Sequence, residues 1–180
     1  MTYFDVFGLA PSVDIDLTHL ESRYRDLSLA LHPDRHAQAS SGERRLAAER
    51  TATLNEAFRV LKDPARRAFY VLKEFGVDLE SESANVRPPL PVEFLEDILE
   101  RREQLDAARA ANDLARVATL GQAMSSDMKK ALSEAQGALR LRLNADKPEA
   151  VSQAATALAR VRYFLRFMEE VDAIEEASLA

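Results

Sequence analysis

Apolar residues recur every three or four positions over most of the 180-residue chain, a spacing typical of amphipathic α-helices. In residues 1–76 this spacing predicts a short helix, two long antiparallel helices and a fourth, shorter helix. The predicted buried positions of the two long helices are Leu17, Leu20, Tyr24, Leu27 and Leu31, followed by Leu46, Ala47, Leu54, Ala57, Phe58 and Leu61. The pattern therefore predicts an all-α fold in which a helical hairpin is flanked by short helices.

Residues that start and stop helices support these assignments. Asp16 and Asp63 are predicted N-caps, because a short acidic side chain accepts hydrogen bonds from the amides of the first turn. Ser40 stands three residues before Glu43, which is the spacing of a capping box. Gly76 follows the last predicted helical residue and favours the left-handed conformation that ends many helices. Local sequence therefore predicts where each of these helices begins or ends.

The C-terminal part of the chain predicts a second helical unit. Residues 77–90 are polar, contain proline and lack a helical period, so we predict a linker between domains at 1–76 and 91–180. Three helical patterns with short connections follow, and short connections force neighbouring helices to run antiparallel. The predicted buried positions are Leu114, Val117, Met124, Met128, Leu132, Ala135 and Leu139, then Leu158, Val161, Leu165 and Met168. We therefore expect a three-helix bundle.

Composition excludes several kinds of chemistry. The chain has no cysteine, so it forms no disulfide and no cysteine-ligated zinc site or iron–sulfur cluster. Its first residues show neither the basic and apolar regions of a signal peptide nor the acid-poor character of a transit peptide. No segment reaches the length and apolar content of a membrane span. A cytoplasmic protein without a membrane partner is expected.

The distribution of charge argues against nucleic-acid binding. The formal net charge is −6. Residues 1–76 contain 11 basic and 11 acidic side chains, whereas residues 77–180 contain 13 and 19. A nucleic-acid-binding domain concentrates positive charge instead. Neither half therefore resembles a nucleic-acid-binding domain, although a basic cluster on one helix of the neutral half is compatible with these counts.

The helical pattern that reaches Leu31 is interrupted by His32, Pro33 and Asp34, because proline lacks a backbone donor and clashes with the preceding turn. One interpretation is structural, with the three residues ending the helix and bonding local backbone groups. A second is a metal site that includes His36. Histidines four apart share a face only on a continuous helix, which the proline prevents, so the metal site is disfavoured. A third interpretation depends on the surrounding sequence.

The segments "YFDVFGL", "YRDLSLALHPDR" and "LNEAFRVLKDPARRAFY", in this order and at these spacings, resemble a J-domain over about the first 75 residues. The resemblance implies a co-chaperone that stimulates ATP hydrolysis by a DnaK-type chaperone. It also implies that His32, Pro33 and Asp34 form the loop between the two long helices that contacts the chaperone. The chaperone-binding site is thereby predicted at this loop.

Physical reasoning supports such a role for the loop. A proline-rigidified corner between two helices loses little conformational entropy when it docks. The Asp34 carboxylate would pair with an arginine of the chaperone through charge-assisted hydrogen bonds. Arg23 and Arg25 would steer the domain toward an acidic surface. Arg35, which is also assigned to the chaperone-binding site, stands where J-domains frequently have lysine and keeps the positive charge. The alternative for Arg23 and Arg25 is a solvated helix face without a partner.

A J-domain, a short spacer and a three-helix bundle together resemble the HscB family over the full chain. The segments "FLEDILERREQLDAA" and "ARVRYFLRF" carry this resemblance in the C-terminal half, and the chain has neither a Gly/Phe-rich linker nor a Cys-rich zinc region. The resemblance implies an HscA-type ATPase as the chaperone. It also implies the iron–sulfur scaffold protein IscU as the client delivered by the bundle.

The same resemblance locates a client-binding patch on the bundle. It consists of Leu95, Glu96, Leu99, Glu100 and Glu103 on the first bundle helix and Tyr163 on the last. Residues 95, 99 and 103 are four apart and therefore share a helix face, although Glu96 stands where relatives often have methionine. The alternative is that the two leucines and Tyr163 pack inside the bundle while the glutamates are solvated.

The sequence gives no reason to expect an enzyme, since it contains no nucleophile elbow and no phosphate-binding glycine loop. No cofactor or metal is expected, and nothing in the sequence demands more than a monomer. The expected function is that of an iron–sulfur co-chaperone. A J-domain adaptor for a different client is the main alternative, and a structural helical module is a more distant one.

Overall fold

The computed structural model describes residues 1–31, 40–79 and 88–178, and all regular secondary structure in these ranges is α-helical. The seven helices described are α1 (Tyr3–Phe7), α2 (Leu17–Ala30), α3 (Ser41–Lys62), α4 (Pro64–Glu74), α5 (Val92–Ala110), α6 (Leu114–Ala145) and α7 (Glu149–Ser178). The predicted all-α fold, with a helical hairpin and then three longer helices, is therefore confirmed.

The chain divides into two compact units, Met1–Val71 and Leu72–Ala180. The division falls inside α4, so the last turn of that helix groups with the second unit. The domain boundaries predicted from sequence, 1–76, 77–90 and 91–180, stay a prediction. Each unit is described below by itself.

The two long helices of the first unit run antiparallel. The rings of Tyr24 on α2 and Phe58 on α3 stack with their centroids 4.1 Å apart. The Tyr24 hydroxyl also donates a hydrogen bond of 2.9 Å to the side-chain oxygen of Asn55. Nearer the start of α2, Lys62 Nζ lies 3.2 Å from the Glu21 carboxylate. Residues early in α2 therefore meet residues late in α3, as the hairpin prediction requires.

The core of the first unit contains one buried cation among apolar side chains. Its largest fully buried residues are Phe4, Phe7, Leu20, Leu54, Leu61 and Val13. Arg67 on α4 donates from Nε to the Val13 carbonyl at 2.9 Å and from a terminal nitrogen to the Leu61 carbonyl. Burial lowers the pKa of Arg67, because desolvation disfavours the charged form, although Asp14 and Asp63 oppose this effect. Arg67 thus ties the loop before α2 to the end of α3.

The predicted helix caps are confirmed. The Asp16 carboxylate accepts hydrogen bonds of 2.9 and 3.1 Å from two amides of the first turn of α2. Ser40 and Glu43 form the predicted capping box, with each side chain accepting from the other's amide. Asp63 accepts a 2.8 Å hydrogen bond from an amide in the first turn of α4. Gly76 has φ = 85° just beyond the end of α4, a left-handed conformation that favours glycine.

The second unit is a bundle of α5, α6 and α7 joined by short connections. Helix α6 has 32 residues, which makes it about 48 Å long at a rise of 1.5 Å per residue. A Cβ atom added at Gly121 of α6 would lie 3.0 Å from Val171 Cγ1 of α7, so these two helices are closely packed. The fully buried large side chains of the bundle are Leu105, Met124, Leu139, Leu158 and Phe167.

Three residues predicted to be buried are exposed instead, namely Leu17, Leu46 and Leu114. Leu17 and Leu114 are each the first residue of their helix, outside the turns that a neighbouring helix covers. Leu46 shares its turn of α3 with Ala47, which takes the buried position. The predicted set of buried positions therefore included exposed residues near the N-terminal ends of these helices.

The buried face of α7 also differs from the predicted one. Phe164 and Phe167 are buried, whereas the predicted Leu165 and Met168 are only half-buried. Helix α7 packs against both other helices of the bundle, and Phe164 meets the ring of Phe94 on α5 edge-on, with centroids 5.7 Å apart. A helix covered on two sides buries a wider face than a single stripe predicts.

Candidate functional site

The predicted chaperone-binding loop falls on residues that the structure does not describe. His32, Pro33, Asp34 and Arg35 all lie outside the described ranges. The helices before and after them are described: α2 ends at Ala30, and α3 begins just after its N-cap at residue 40. The sequence between them connects the end of α2 to the start of α3. The role of the loop stays a prediction.

The two predicted steering arginines on α2 have different environments. Arg23 donates from Nε to the Phe7 carbonyl at 3.1 Å, which holds the end of α1 against α2. A terminal nitrogen of Arg23 lies 3.1 Å from the point where a Cβ at Gly8 would stand. Arg25 is exposed and makes no ion pair or hydrogen bond within the described part of the chain. Arg25 is thus available to a partner, whereas the Arg23 guanidinium already has a structural contact.

The predicted client-binding leucines lie on the outer face of α5. Leu95 is 39% exposed and Leu99 is 60% exposed. The side of α5 that faces the bundle interior is formed instead by Ile98, Leu105 and Ala108, all of which are buried. The alternative that Leu95 and Leu99 pack inside the bundle is therefore wrong. Their role as a binding surface stays a prediction.

The predicted carboxylates surround these leucines. Glu96, Glu100 and Glu103 are all exposed. Glu100 accepts a 3.2 Å hydrogen bond from the Gln104 amide, one turn further along α5. Within the described residues, Glu96 and Glu103 make no ion pair or hydrogen bond. No cation in the described part of the chain contacts them, so their negative charge is available to a positively charged partner.

Tyr163 lies at the edge of the same surface, on α7. Its side chain is 38% exposed, so it is not a core residue. The ring of Phe94 on α5 meets it edge-on, with centroids 5.8 Å apart. Phe94 also packs against Phe164, so one aromatic side chain of α5 contacts both neighbouring aromatic residues of α7 and positions Tyr163 beside α5. We refer to Leu95, Glu96, Leu99, Glu100, Glu103 and Tyr163 as the α5 surface.

Sequence reasoning missed two residues of this region. Phe94 was not recognised as the aromatic contact of Tyr163, and Val92, which is 64% exposed, was not included in the surface. The signal for Val92 was present, since its spacing from Leu95 and Leu99 is three and seven residues. The resemblance that located the patch did not include it.

Other kinds of site are not evident. Among the residues described, no three His, Asp or Glu side chains come together in a way that could hold a metal ion. None of the helices in the described ranges combines the length and apolar content needed to cross a bilayer. Helix α5 presents exposed apolar side chains beside exposed carboxylates.

The first unit has the helical hairpin of a J-domain, and the family model of the DnaJ domain matches residues 2–70. The chain is therefore a J-domain protein. A second family model, described as the HSCB C-terminal oligomerisation domain, matches residues 90–172, which include all of α5 and α6. Together the two matches cover most of the chain, and the chain belongs to the HscB family of co-chaperones.

Individual relatives agree with this assignment. The HscB homolog of Shewanella halifaxensis is 33% identical over 178 residues, which cover 98% of each chain. The homolog of Pseudoalteromonas atlantica is 34% identical over 178 residues, again with 98% coverage of both chains. The homolog of Ralstonia nicotianae is 43% identical over 113 residues, covering 63% of this chain and 62% of its own. All three are named co-chaperone proteins.

Solved structures show the same architecture. The chaperone HscB from Vibrio cholerae superposes with a TM-score of 0.77 at 29% identity, covering 98% of this chain and 99% of its own. Human HscB has a TM-score of 0.82 at 22% identity, covering 97% and 82% respectively, and supports the fold alone. The J-domain and the family together imply an Hsp70-type chaperone as a partner.

Proposed function

We propose that this chain stimulates the ATPase of a DnaK/HscA-type chaperone and delivers an IscU-type scaffold protein to it, which aids iron–sulfur cluster assembly and transfer. Membership of a co-chaperone family supports the first part of this function. The observation that carries the second part is the exposure of Leu95 and Leu99 beside carboxylates on a bundle whose interior is otherwise closely packed. Exposed neighbouring leucines on one helix face are typical of an interaction surface.

The J-domain would act on the chaperone by differential binding. Asp34 would pair with an arginine of the chaperone, and Arg25 and Arg35 would add long-range attraction to an acidic surface. Binding that is tighter to the hydrolysis-competent conformation shifts the chaperone toward that conformation and so speeds turnover. On this proposal the chain binds no nucleotide or cluster itself and carries no catalytic residue.

The bundle would bring the client to the same chaperone at the same time. The α5 surface offers apolar side chains for burial and carboxylates for contacts with basic side chains of the scaffold. The scaffold would then reach the chaperone together with the J-domain that triggers hydrolysis. We propose that this delivery occurs in the cytoplasm and that the chain acts as a monomer. Light scattering would measure the mass of the chain in solution and so test its oligomeric state.

Chaperone turnover tests the first part of the proposal. The wild-type chain should increase the steady-state ATPase rate of the HscA-type chaperone of the same organism, and Asp34→Asn should abolish the increase. Asp26→Asn is a matched control, because it makes the same substitution at an exposed residue of α2. An ATPase response that Asp34→Asn leaves unchanged would contradict the role of the loop.

Calorimetry tests the second part. The IscU-type scaffold of the same organism should bind the wild-type chain, and Leu99→Ala and Glu100→Ala should each weaken binding. Leu141→Ala and Glu176→Ala are matched controls at exposed positions on α6 and α7. Absence of binding to the intact protein would contradict scaffold delivery and favour a J-domain adaptor for another client.

A further inference from the structure

Val92 extends the apolar part of the α5 surface by one turn beyond Leu95. Its side chain is 64% exposed, the largest exposed fraction of any large apolar residue described in the second unit. It is the first residue of α5, and the Pro91 that precedes it places no side-chain cap over the helix start. Exposure at this position leaves apolar area in water that burial against a partner would remove.

The apolar and acidic residues occupy different sides of α5. At about 100° of rotation per residue, Val92, Leu95 and Leu99 fall within an arc of roughly 60°. A neighbouring arc of roughly 80° contains Glu93, Glu96, Glu100 and Glu103. The outer face of α5 thus consists of an apolar strip about two turns long beside an acidic strip about three turns long.

Contacts to the other helices orient these two strips. Arg102, which lies just beyond the apolar strip, forms an ion pair with Glu170 of α7. Gln104, which lies just beyond the acidic strip, accepts a hydrogen bond of 2.7 Å from Arg116 of α6. The apolar strip therefore lies on the α7 side of the outer face, next to Tyr163, and the acidic strip lies on the α6 side.

The cations of the bundle do not neutralise the acidic strip. Arg101 is bound by Asp97 and Asp127, and Arg102 is bound by Glu170. Arg116 donates to the Gln104 amide instead of to a carboxylate of the strip. The glutamates at positions 93, 96 and 103 have no ion pair among the residues described. A partner with lysine or arginine side chains would meet carboxylates that are exposed and not already paired.

We infer that Val92 is a third apolar anchor of the α5 surface, and that the two strips fix the orientation of the partner across α5. The partner presents an apolar ridge toward α7 and a row of lysine or arginine side chains toward α6. This inference rests on the proposed function, because it concerns the same surface and the same scaffold protein. It adds Val92 and Glu93 to the residues of the α5 surface.

Binding of the scaffold to a pair of matched variants tests the role of Val92. In calorimetry with the full chain and the IscU-type scaffold of the same organism, Val92→Ser should weaken binding roughly fivefold, because less apolar area is buried. Leu114→Ser is the matched control, since Leu114 is also an exposed apolar residue at the first position of a helix. The control should bind as the wild type does, and circular dichroism should show both variants folded.

The salt dependence of binding tests the two-strip arrangement. Glu96→Gln should weaken binding about two- to threefold at low ionic strength and reduce the dependence of affinity on salt, because one charge contact is lost. Val92→Ser and Leu99→Ala should weaken binding without changing the salt dependence, because they remove only apolar area. Glu176→Gln on α7 is the control for loss of a negative charge elsewhere.

The outcomes separate this inference from the proposed function. If the wild-type chain does not bind the scaffold, scaffold delivery and this inference are both overturned. If Leu99→Ala weakens binding but Val92→Ser behaves like Leu114→Ser, scaffold delivery stands and the third anchor is refuted. If Glu96→Gln alters neither affinity nor salt dependence, the acidic strip does not contact the partner and the proposed orientation is wrong.

Discussion

Arg101 on α5 donates a hydrogen bond of 3.0 Å to Asp127 on α6. The same guanidinium contacts Asp97 one turn earlier on its own helix, and Lys130 also reaches Asp127. Burial tends to raise the pKa of Asp127, but hydrogen bonds from Lys130 and Arg101 outweigh it and hold this pKa below its ordinary value. The pair joins α5 to α6 on the side of α5 opposite the proposed α5 surface.

We predict that this pair makes the stability of the bundle depend on pH under acidic conditions. Since the pKa of Asp127 is lower in the folded state, its contribution is present above the ordinary value of 3.8 and is lost as the pH falls through the lowered folded-state pKa. Asp127→Asn should lower the free energy of unfolding by roughly 1–2 kcal/mol at pH 7. The difference from wild type should shrink below about pH 4.

Urea unfolding of both proteins at pH 7 and pH 3 measures this effect. Asp172→Asn on α7 is the control, because it makes the same substitution at an exposed position. A stability difference between wild type and Asp127→Asn that is the same at both pH values would contradict a role for the ionised carboxylate.

We predict that the two arginines of α2 have different roles, Arg23 in the stability of the first unit and Arg25 in stimulation of the chaperone. Arg23→Ala should lower the free energy of unfolding of the first unit by about 1 kcal/mol, because it removes the hydrogen bond to the Phe7 carbonyl. Arg25→Ala should leave stability unchanged within about 0.5 kcal/mol, since Arg25 is exposed and unpaired in the described part of the chain. Thermal unfolding measures both values.

Arg25→Ala should also reduce stimulation of the chaperone ATPase at low ionic strength, and the reduction should diminish as salt is added. Comparison with Arg25→Lys, which keeps the charge, isolates the electrostatic part. Equal stimulation by wild type and Arg25→Ala at all salt concentrations would contradict a steering role for this side chain.

We predict that two glycines of α6 respond differently to alanine. Gly137→Ala should raise the free energy of unfolding by about 1 kcal/mol, because alanine favours a helix and nothing lies within 4 Å of the added Cβ. Gly121→Ala should raise the free energy of unfolding by less than Gly137→Ala does, or lower it, since its Cβ would lie 3.0 Å from a methyl group of the buried Val171. Chemical denaturation measures the free energy of unfolding of the two variants. Equal increases would show that Val171 moves at no cost to make room for the added methyl group.

Local signals in the sequence predicted most of the fold. Asp16, Ser40 and Glu43 cap helices through hydrogen bonds with amides a few residues away, so the short-range pattern contains the necessary information. Burial was less predictable, because it depends on which neighbouring helices cover each turn. Phe164 lies deeper than the predicted Leu165 since α5 and α6 both pack against α7, which the sequence of α7 alone does not indicate.

The candidate surface was predicted from the resemblance to the HscB family, and the spacing of its residues could not reveal their exposure. Leu95 and Leu99 have the same spacing as buried core residues, and only the three-helix arrangement turns them outward. The contact of Phe94 with Tyr163 joins residues far apart in sequence, so no local pattern predicts it. Val92 shares the face but was not part of the patch that the resemblance implied.

The edge-on contact between Phe94 and Tyr163 means that the proposed α5 surface combines residues of two helices that are separated by all of α6 along the chain. In a newly synthesised or damaged copy in which α7 does not pack on α5, the client would meet the α5 residues of this surface without Tyr163. On the proposed function, binding of the client would require a fully folded bundle. Incompletely folded copies would therefore not compete for the client.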